Sequence, residues 1–349
     1  MGEKEQCEFA RSSAATSTES EISGRSGTYR RAALRASDGV RIEAAYDPYT
    51  GSAVTGKSAT AAPLAPFAIV LAHGFSGSVD RPALRRAVQV FQQYGAVITF
   101  SFRGHGDSGG HSTVGDREVL DLAAAVSWAR SLGHEHVATV GFSMGGSVVV
   151  RHGALYRPYG YGSESSEVPG GSDGDTAHTK VHEGRTGAQP GTAGHPAGSP
   201  EPTGPAAGRH SAHSEAVVAV SAPARWYYRG TAPMRRLHWV IQRPVGRFVS
   251  RYGLRTRIHS RDWDPVPLSP VAAAPALAPT PLLVVHGDQD PYFPLDHPHS
   301  LAAAADPDCT ELWVVPGFGH AENAAEPPLL HRIAEWIDAR WRSAPDGPA

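Results

Sequence analysis

Apolar and polar positions follow two periods along this chain. Phe67–Ala72 is an unbroken apolar run, the pattern of a strand buried on both faces. Further strands are predicted over 96–102, 136–141, 216–221, 281–286 and 311–315. Between them the period lengthens. Leu84, Val88 and Phe91 recur at helical spacing within 82–94, ahead of Gly95 as a cap. Val119, Leu122, Ala123 and Val126 share one face of a helix over 116–132, and 143–156 and 328–341 read as helices too. Near the start, 29–35 and 40–46 are joined by Ser37-Asp38-Gly39 and predict a β-hairpin. A hairpin followed by alternating strands and helices predicts an α/β domain with a mostly parallel, doubly wound sheet.

The pattern lapses in two places. Residues 1–27 are rich in Ser, Thr and Glu, and 160–214 contain no Leu, Ile, Met, Phe or Trp. Such stretches bury too little apolar surface to offset their ordering entropy, so both are expected to be disordered. Gly 38 and Pro 29 in 349 residues, about a fifth of the chain, agree with that expectation. What remains is one domain over 28–342, interrupted at 160–214 and followed by a tail at 343–349.

Charge and cysteine content narrow the function. A formal net charge of −2 lacks the basic footprint of a general nucleic-acid binder. Two cysteines, Cys7 and Cys309, offer neither a disulfide framework nor a thiolate zinc site. His178, His182, His195, His210 and His213 lie in the predicted disordered stretch, where organising a metal site costs much entropy, so no metal is expected there. The first 26 residues lack an apolar core of a secretory signal, and the longest apolar runs are strand-length. A cytoplasmic protein without stable membrane insertion is expected.

Four short motifs carry chemistry. Gly141-Phe142-Ser143-Met144-Gly145 fits Gly-x-Ser-x-Gly between a predicted strand and a predicted helix, where a serine hydroxyl projects from a sharp turn. His73-Gly74-Phe75-Ser76-Gly77 follows the strand Phe67–Ala72. His286-Gly287-Asp288-Gln289-Asp290 follows the strand over 281–286, and Gly317-Phe318-Gly319-His320 follows the last strand. Together these motifs resemble the α/β-hydrolase superfamily, in its serine esterase and aminopeptidase-like branches, over about 28–157 and 215–342. The resemblance implies an eight-stranded, mostly parallel sheet with flanking helices and a small cap. It also implies a nucleophile–acid–base triad of Ser143, Asp290 and His320, with Asp288 as the rival acid. The backbone N–H groups of Phe75 and Met144 would bind the oxyanion, and the side chain of His73 would be structural. Arg103-Gly104-His105-Gly106-Asp107-Ser108-Gly109 resembles a turn of the same family, with Arg103 and Asp107 available for local pairing and His105 as a residue that could reach the pocket.

Residues 222–275 form the cap-like excursion, with ten arginines between Arg225 and Arg261 among interleaved aromatics. A helical cap with a solvated arginine face, a site for an acidic substrate group, and an interfacial surface touching lipid are its three readings. The implied function is hydrolysis of a small carboxylic ester or thioester through an acyl-enzyme, with no metal or organic cofactor. A proline-aminopeptidase-like amidase, an acyltransferase and a non-catalytic binding protein are the alternatives.

Overall fold

The computed structural model describes residues 29–51, 67–157 and 212–342. The two stretches expected to be disordered lie outside these residues, apart from 212–214 at the end of the second. Ala212 and Ser214 are buried, and Glu215 pairs with Arg130 at 2.5 Å, so the packed domain resumes earlier than composition suggests.

Eight strands form one sheet: β1 (Arg30–Arg35), β2 (Arg41–Asp47), β3 (Phe67–Ala72), β4 (Ala96–Phe100), β5 (His136–Phe142), β6 (Ala216–Val220), β7 (Leu282–Gly287) and β8 (Thr310–Val315). Their spatial order is β1-β2-β4-β3-β5-β6-β7-β8. The hairpin β1–β2 and the pair β2–β4 are antiparallel, and every other pairing is parallel. The apolar runs divide between two cores by the two-residue alternation of a strand. Ala68, Val70 and Ala72 of β3 enter the first core with α2 (Glu118–Ser131) and α3 (Met144–Leu155). Phe67, Ile69 and Leu71 enter the second, with α1 (Pro82–Phe91) and the long C-terminal helix at Pro327–Arg342. β7 divides likewise, Leu282 and Val284 on one side and Leu283 and Val285 on the other.

Element ends differ from the pattern where side chains intercept the backbone. β4 stops at Phe100 rather than 102, because the Phe102 N–H donates to His73 Nε2 at 3.0 Å. α2 begins at Glu118 rather than 116, since the Glu118 carboxylate accepts the N–H groups of Thr113 and Gly115 at 2.8 and 2.9 Å. Between β6 and β7 lie α4 (Ala232–Gln242), α5 (Pro244–Gly253) and the short α6 (Pro270–Ala273). The helix α7 (Asp296–Ala304), which the apolar spacing does not predict, precedes β8. A one-turn α8 (Ala321–Ala324) and α9 (Pro327–Arg342) close the chain. The parallel strands all point one way, so the segments after β3, β4, β5, β7 and β8 meet at one edge of the sheet.

Candidate active site

The turn after β5 is a tight one. Ser143 sits at φ 51°, ψ −114°, a conformation that costs a non-glycine residue about 1–3 kcal/mol. Its flanking glycines permit the turn. A Cβ on Gly141 would lie 2.2 Å from Gly145 O, and one on Gly145 would lie 2.2 Å from Ala72 O. The Ser143 N–H donates to Val220 O at 2.8 Å, which fixes the turn on the neighbouring strand.

The hydroxyl meets a relay built from the loops after β7 and β8. Ser143 Oγ is 3.0 Å from His320 Nε2, and His320 Nδ1 is 2.7 Å from Asp290 Oδ2. The second carboxylate oxygen of Asp290 accepts the N–H groups of Tyr292 and Phe293 at 2.8 and 3.1 Å. Burial alone would raise the Asp290 carboxyl. The hydrogen bond and charge of His320, with those two N–H groups, outweigh it and hold Asp290 below the ordinary 3.8. An ionised Asp290 keeps the proton of a neutral imidazole on Nδ1 and turns the Nε2 lone pair to the serine hydroxyl, which donates to it. The Tyr292 ring packs against the His320 ring, with centroids 4.3 Å apart and planes tilted by 34°. Asp288 lies outside this relay and accepts the Gly317 N–H at 2.7 Å, tying the loop after β7 to the loop after β8.

Phe75 follows β3 at the same edge, and Met144 opens α3, so its N–H has no acceptor within the helix. Three buried side chains hold the peptide groups around Phe75. Glu322 Oε1 accepts the Gly74 N–H at 2.9 Å, His73 Nδ1 donates to Gly74 O at 2.6 Å, and His105 Nε2 lies 2.5 Å from Phe75 O. A planar trans peptide points its N–H opposite its C=O, so fixing Gly74 O fixes the direction of the Phe75 N–H. Burial lowers the pKa of His73 well below its ordinary value and leaves the ring neutral; Nε2 is then free to accept Phe102 N–H. Burial likewise lowers His105 and raises Glu322. His105 thus enters through a backbone contact to the loop. Arg103, whose nearest acid in sequence is Asp107, reaches further. It pairs with Asp121 and Asp38, each at 2.7 Å, while Asp107 faces solvent 3.6 Å from Arg255.

Glu322 and Tyr292 escape a reading of motifs. Glu322 stands two residues after His320, but its partner Gly74 is 248 residues away. Tyr292 is visible only as part of the acid's loop. The excursion between β6 and β7 folds over this edge from both sides. Thr231 Oγ1 donates to Tyr292 O at 2.8 Å, and Trp263 Nε1 donates to Thr113 O at 2.6 Å. Beneath it a cavity of about 820 Å³ is lined by Arg103, His111, Ser112, Tyr227, His238 and Trp263 among others, and by none of Ser143, Asp290 and His320. Among the described residues no group of three or more His, Cys, Asp or Glu could hold a metal ion. No described helix is long and apolar enough to cross a membrane.

The profile of the Alpha/beta hydrolase family matches residues 69–339. The chain belongs to that family. No curated protein matches the sequence. Among solved structures, the Pyrococcus furiosus esterase Pf2001 superposes with a TM-score of 0.57 at 18% identity, covering 95% of this chain and 100% of that one. DcsB, determined with its substrate analogue, gives 0.53 at 15% identity over 89% and 97% of the two chains. The esterase domain of a Rhodothermus marinus protein gives 0.50 at 15% identity over 90% and 98%. At these identities the likeness is one of fold, and the eight-stranded sheet of this hydrolase is that fold.

Proposed function

We propose that this hydrolase is a serine esterase that cleaves a small carboxylic ester through an acyl-enzyme. The observation that carries the reading is the continuous relay from Ser143 Oγ through His320 to the buried carboxylate of Asp290, at 3.0 and 2.7 Å. A serine hydroxyl is a weak nucleophile until an adjacent base takes its proton. Ser143 Oγ attacks the ester carbonyl carbon as His320 Nε2 receives that proton. The carbonyl oxygen becomes an oxyanion facing the N–H groups of Phe75 and Met144, where each donor is worth about 3 kcal/mol in transition-state stabilisation. The intermediate collapses, the leaving alkoxide takes the proton from His320, and an alcohol departs. Water then repeats the sequence on the acyl-Ser143 ester and releases the acid. Asp290 stays ionised throughout and stabilises the imidazolium.

Labelling with a fluorophosphonate, beside turnover of short- and long-chain p-nitrophenyl esters, tests the reading. Labelling and turnover are expected in the wild type and absent in Ser143→Ala. A folded wild-type protein that neither labels nor turns over any ester would overturn it in favour of a binding protein. Turnover of amides in preference to esters would replace esterase by amidase.

A further inference from the structure

The excursion over the site carries an inverted helix. On a soluble protein the apolar stripe of a surface helix faces the core. In α5, Val245, Phe248, Val249 and Tyr252 stand at i, i+3, i+4 and i+7, and all four are 51–65% exposed. The buried positions of α5 are instead Gly246 and Ser250. Trp239 of α4 adds a further ring, 50% exposed. Phe248 and Tyr252 lie 4.6 Å apart, with the Arg251 guanidinium 5.6 Å from the Tyr252 ring.

Charge says what this face meets. Residues 225–261 hold ten arginines and no Asp or Glu; with the whole chain at −2, the rest of the sequence sums to −12. Arg235, Arg236, Arg243 and Arg251 are exposed, and no ion pair with a described residue engages any of them. Arg235 Nη1 donates to Gly230 O at 2.9 Å, which orients that side chain without neutralising it. Exposed aromatic and aliphatic side chains on a short helix, bordered by guanidinium groups without a described carboxylate partner, match the boundary between headgroups and acyl chains of an anionic bilayer. Arginine also presents the fork that phosphate oxygens accept. At ten residues, about 15 Å, α5 is too short to span a bilayer and would lie in its surface.

We propose that the α4–α5 face docks on anionic phospholipid surfaces, with Phe248, Val249 and Tyr252 entering the acyl boundary and Arg235, Arg243 and Arg251 binding lipid phosphates. Because α4 starts beside Thr231, bonded to the loop of Asp290, docking would hold the excursion and the site edge at the lipid surface.

Co-sedimentation with vesicles tests this with full-length protein carrying Ser143→Ala, so that binding is read apart from turnover. The probes are mixed phosphatidylglycerol–phosphatidylcholine vesicles and pure phosphatidylcholine vesicles at low and high salt. Binding is expected to the anionic vesicles only and to weaken with salt. Phe248→Ser with Tyr252→Ser should weaken it at least tenfold. Arg→Gln at 235, 243 and 251 should weaken it roughly fivefold per arginine. These side chains are exposed, and melts by circular dichroism verify that each variant folds; Arg251→Glu alone is the smaller second variant. Absence of binding to anionic vesicles overturns the proposal. So does binding that the aromatic substitutions leave unchanged, which is plain charge attraction. A concentration-dependent dimer that Phe248→Ser dissociates also overturns it, since a second copy then covers the face.

Discussion

Ser143 is held where few L-residues go. Glycine tolerates φ near +50° at no steric cost. Ser143→Gly is therefore expected to abolish ester turnover and yet raise stability by about 1 kcal/mol, read by urea unfolding. A stability loss would mean that the hydroxyl contributes more to folding than the turn costs. Glu322 makes a second, pH-dependent case. Burial raises its carboxyl above the ordinary 4.5, so ionising it costs folding free energy. That cost is absent in acid, where both folded and unfolded states hold the proton, and it grows as pH rises through the carboxylate range. Glu322→Gln should match the wild type in stability near pH 4 and exceed it progressively toward pH 7. Glutamine keeps an oxygen for the Gly74 N–H, so turnover should survive. Glu322→Ala leaves that N–H without its partner and should lower kcat about tenfold with little change in KM, as expected when the Phe75 donor is misdirected.

The strands and helices were legible to differing depths. Strands buried on both faces announce themselves as unbroken apolar runs, and Phe67–Ala72 has the same bounds in sequence and structure. Ends of elements were less visible, because they depend on side chains that arrive from far away. β4 is cut short by His73, 29 residues before Phe102. α7 was missed because its Asp-His-Pro-His-Ser opening and alanine-rich end show no apolar stripe. The residues of the candidate site are legible as motifs because each lies within a few residues of a strand's end. The side chains behind them were not, since Glu322, His105 and Asp121 acquire their roles from partners that only the sheet brings close. The elbow itself yields a sharp test. Gly145→Ala would place a methyl carbon 2.2 Å from Ala72 O, and backbone must move to admit it. Loss of fluorophosphonate labelling is expected, together with a fall in thermal stability of several degrees. A fully active Gly145→Ala protein would show that the turn has another solution.

Across the molecule, the candidate site and the residues Arg157 and Ala212 that flank 158–211 lie at opposite edges of the sheet. α3 starts at Met144, next to Ser143 on the carboxyl edge, and runs back to the amino edge, where the described chain pauses at Arg157 and from which β6 sets out. Removing 160–211 in favour of a short Gly-Ser linker is accordingly expected to leave ester turnover within about twofold, provided the linker spans Arg157 to Ala212. Loss of turnover from a folded deletion variant would show that the insert contributes to the site. The same topology has a consequence for the covalent chain. A single cut inside 158–211 would leave the proposed nucleophile, Ser143, on one fragment and the proposed acid and base, Asp290 and His320, on the other. The fragments would still share the five-residue register of β5 against β6 and the packing of α3 on both strands. A nicked molecule should therefore stay assembled and turn over ester, while neither fragment alone could. The relay of Ser143, His320 and Asp290 would then depend on non-covalent complementation across the middle of the sheet.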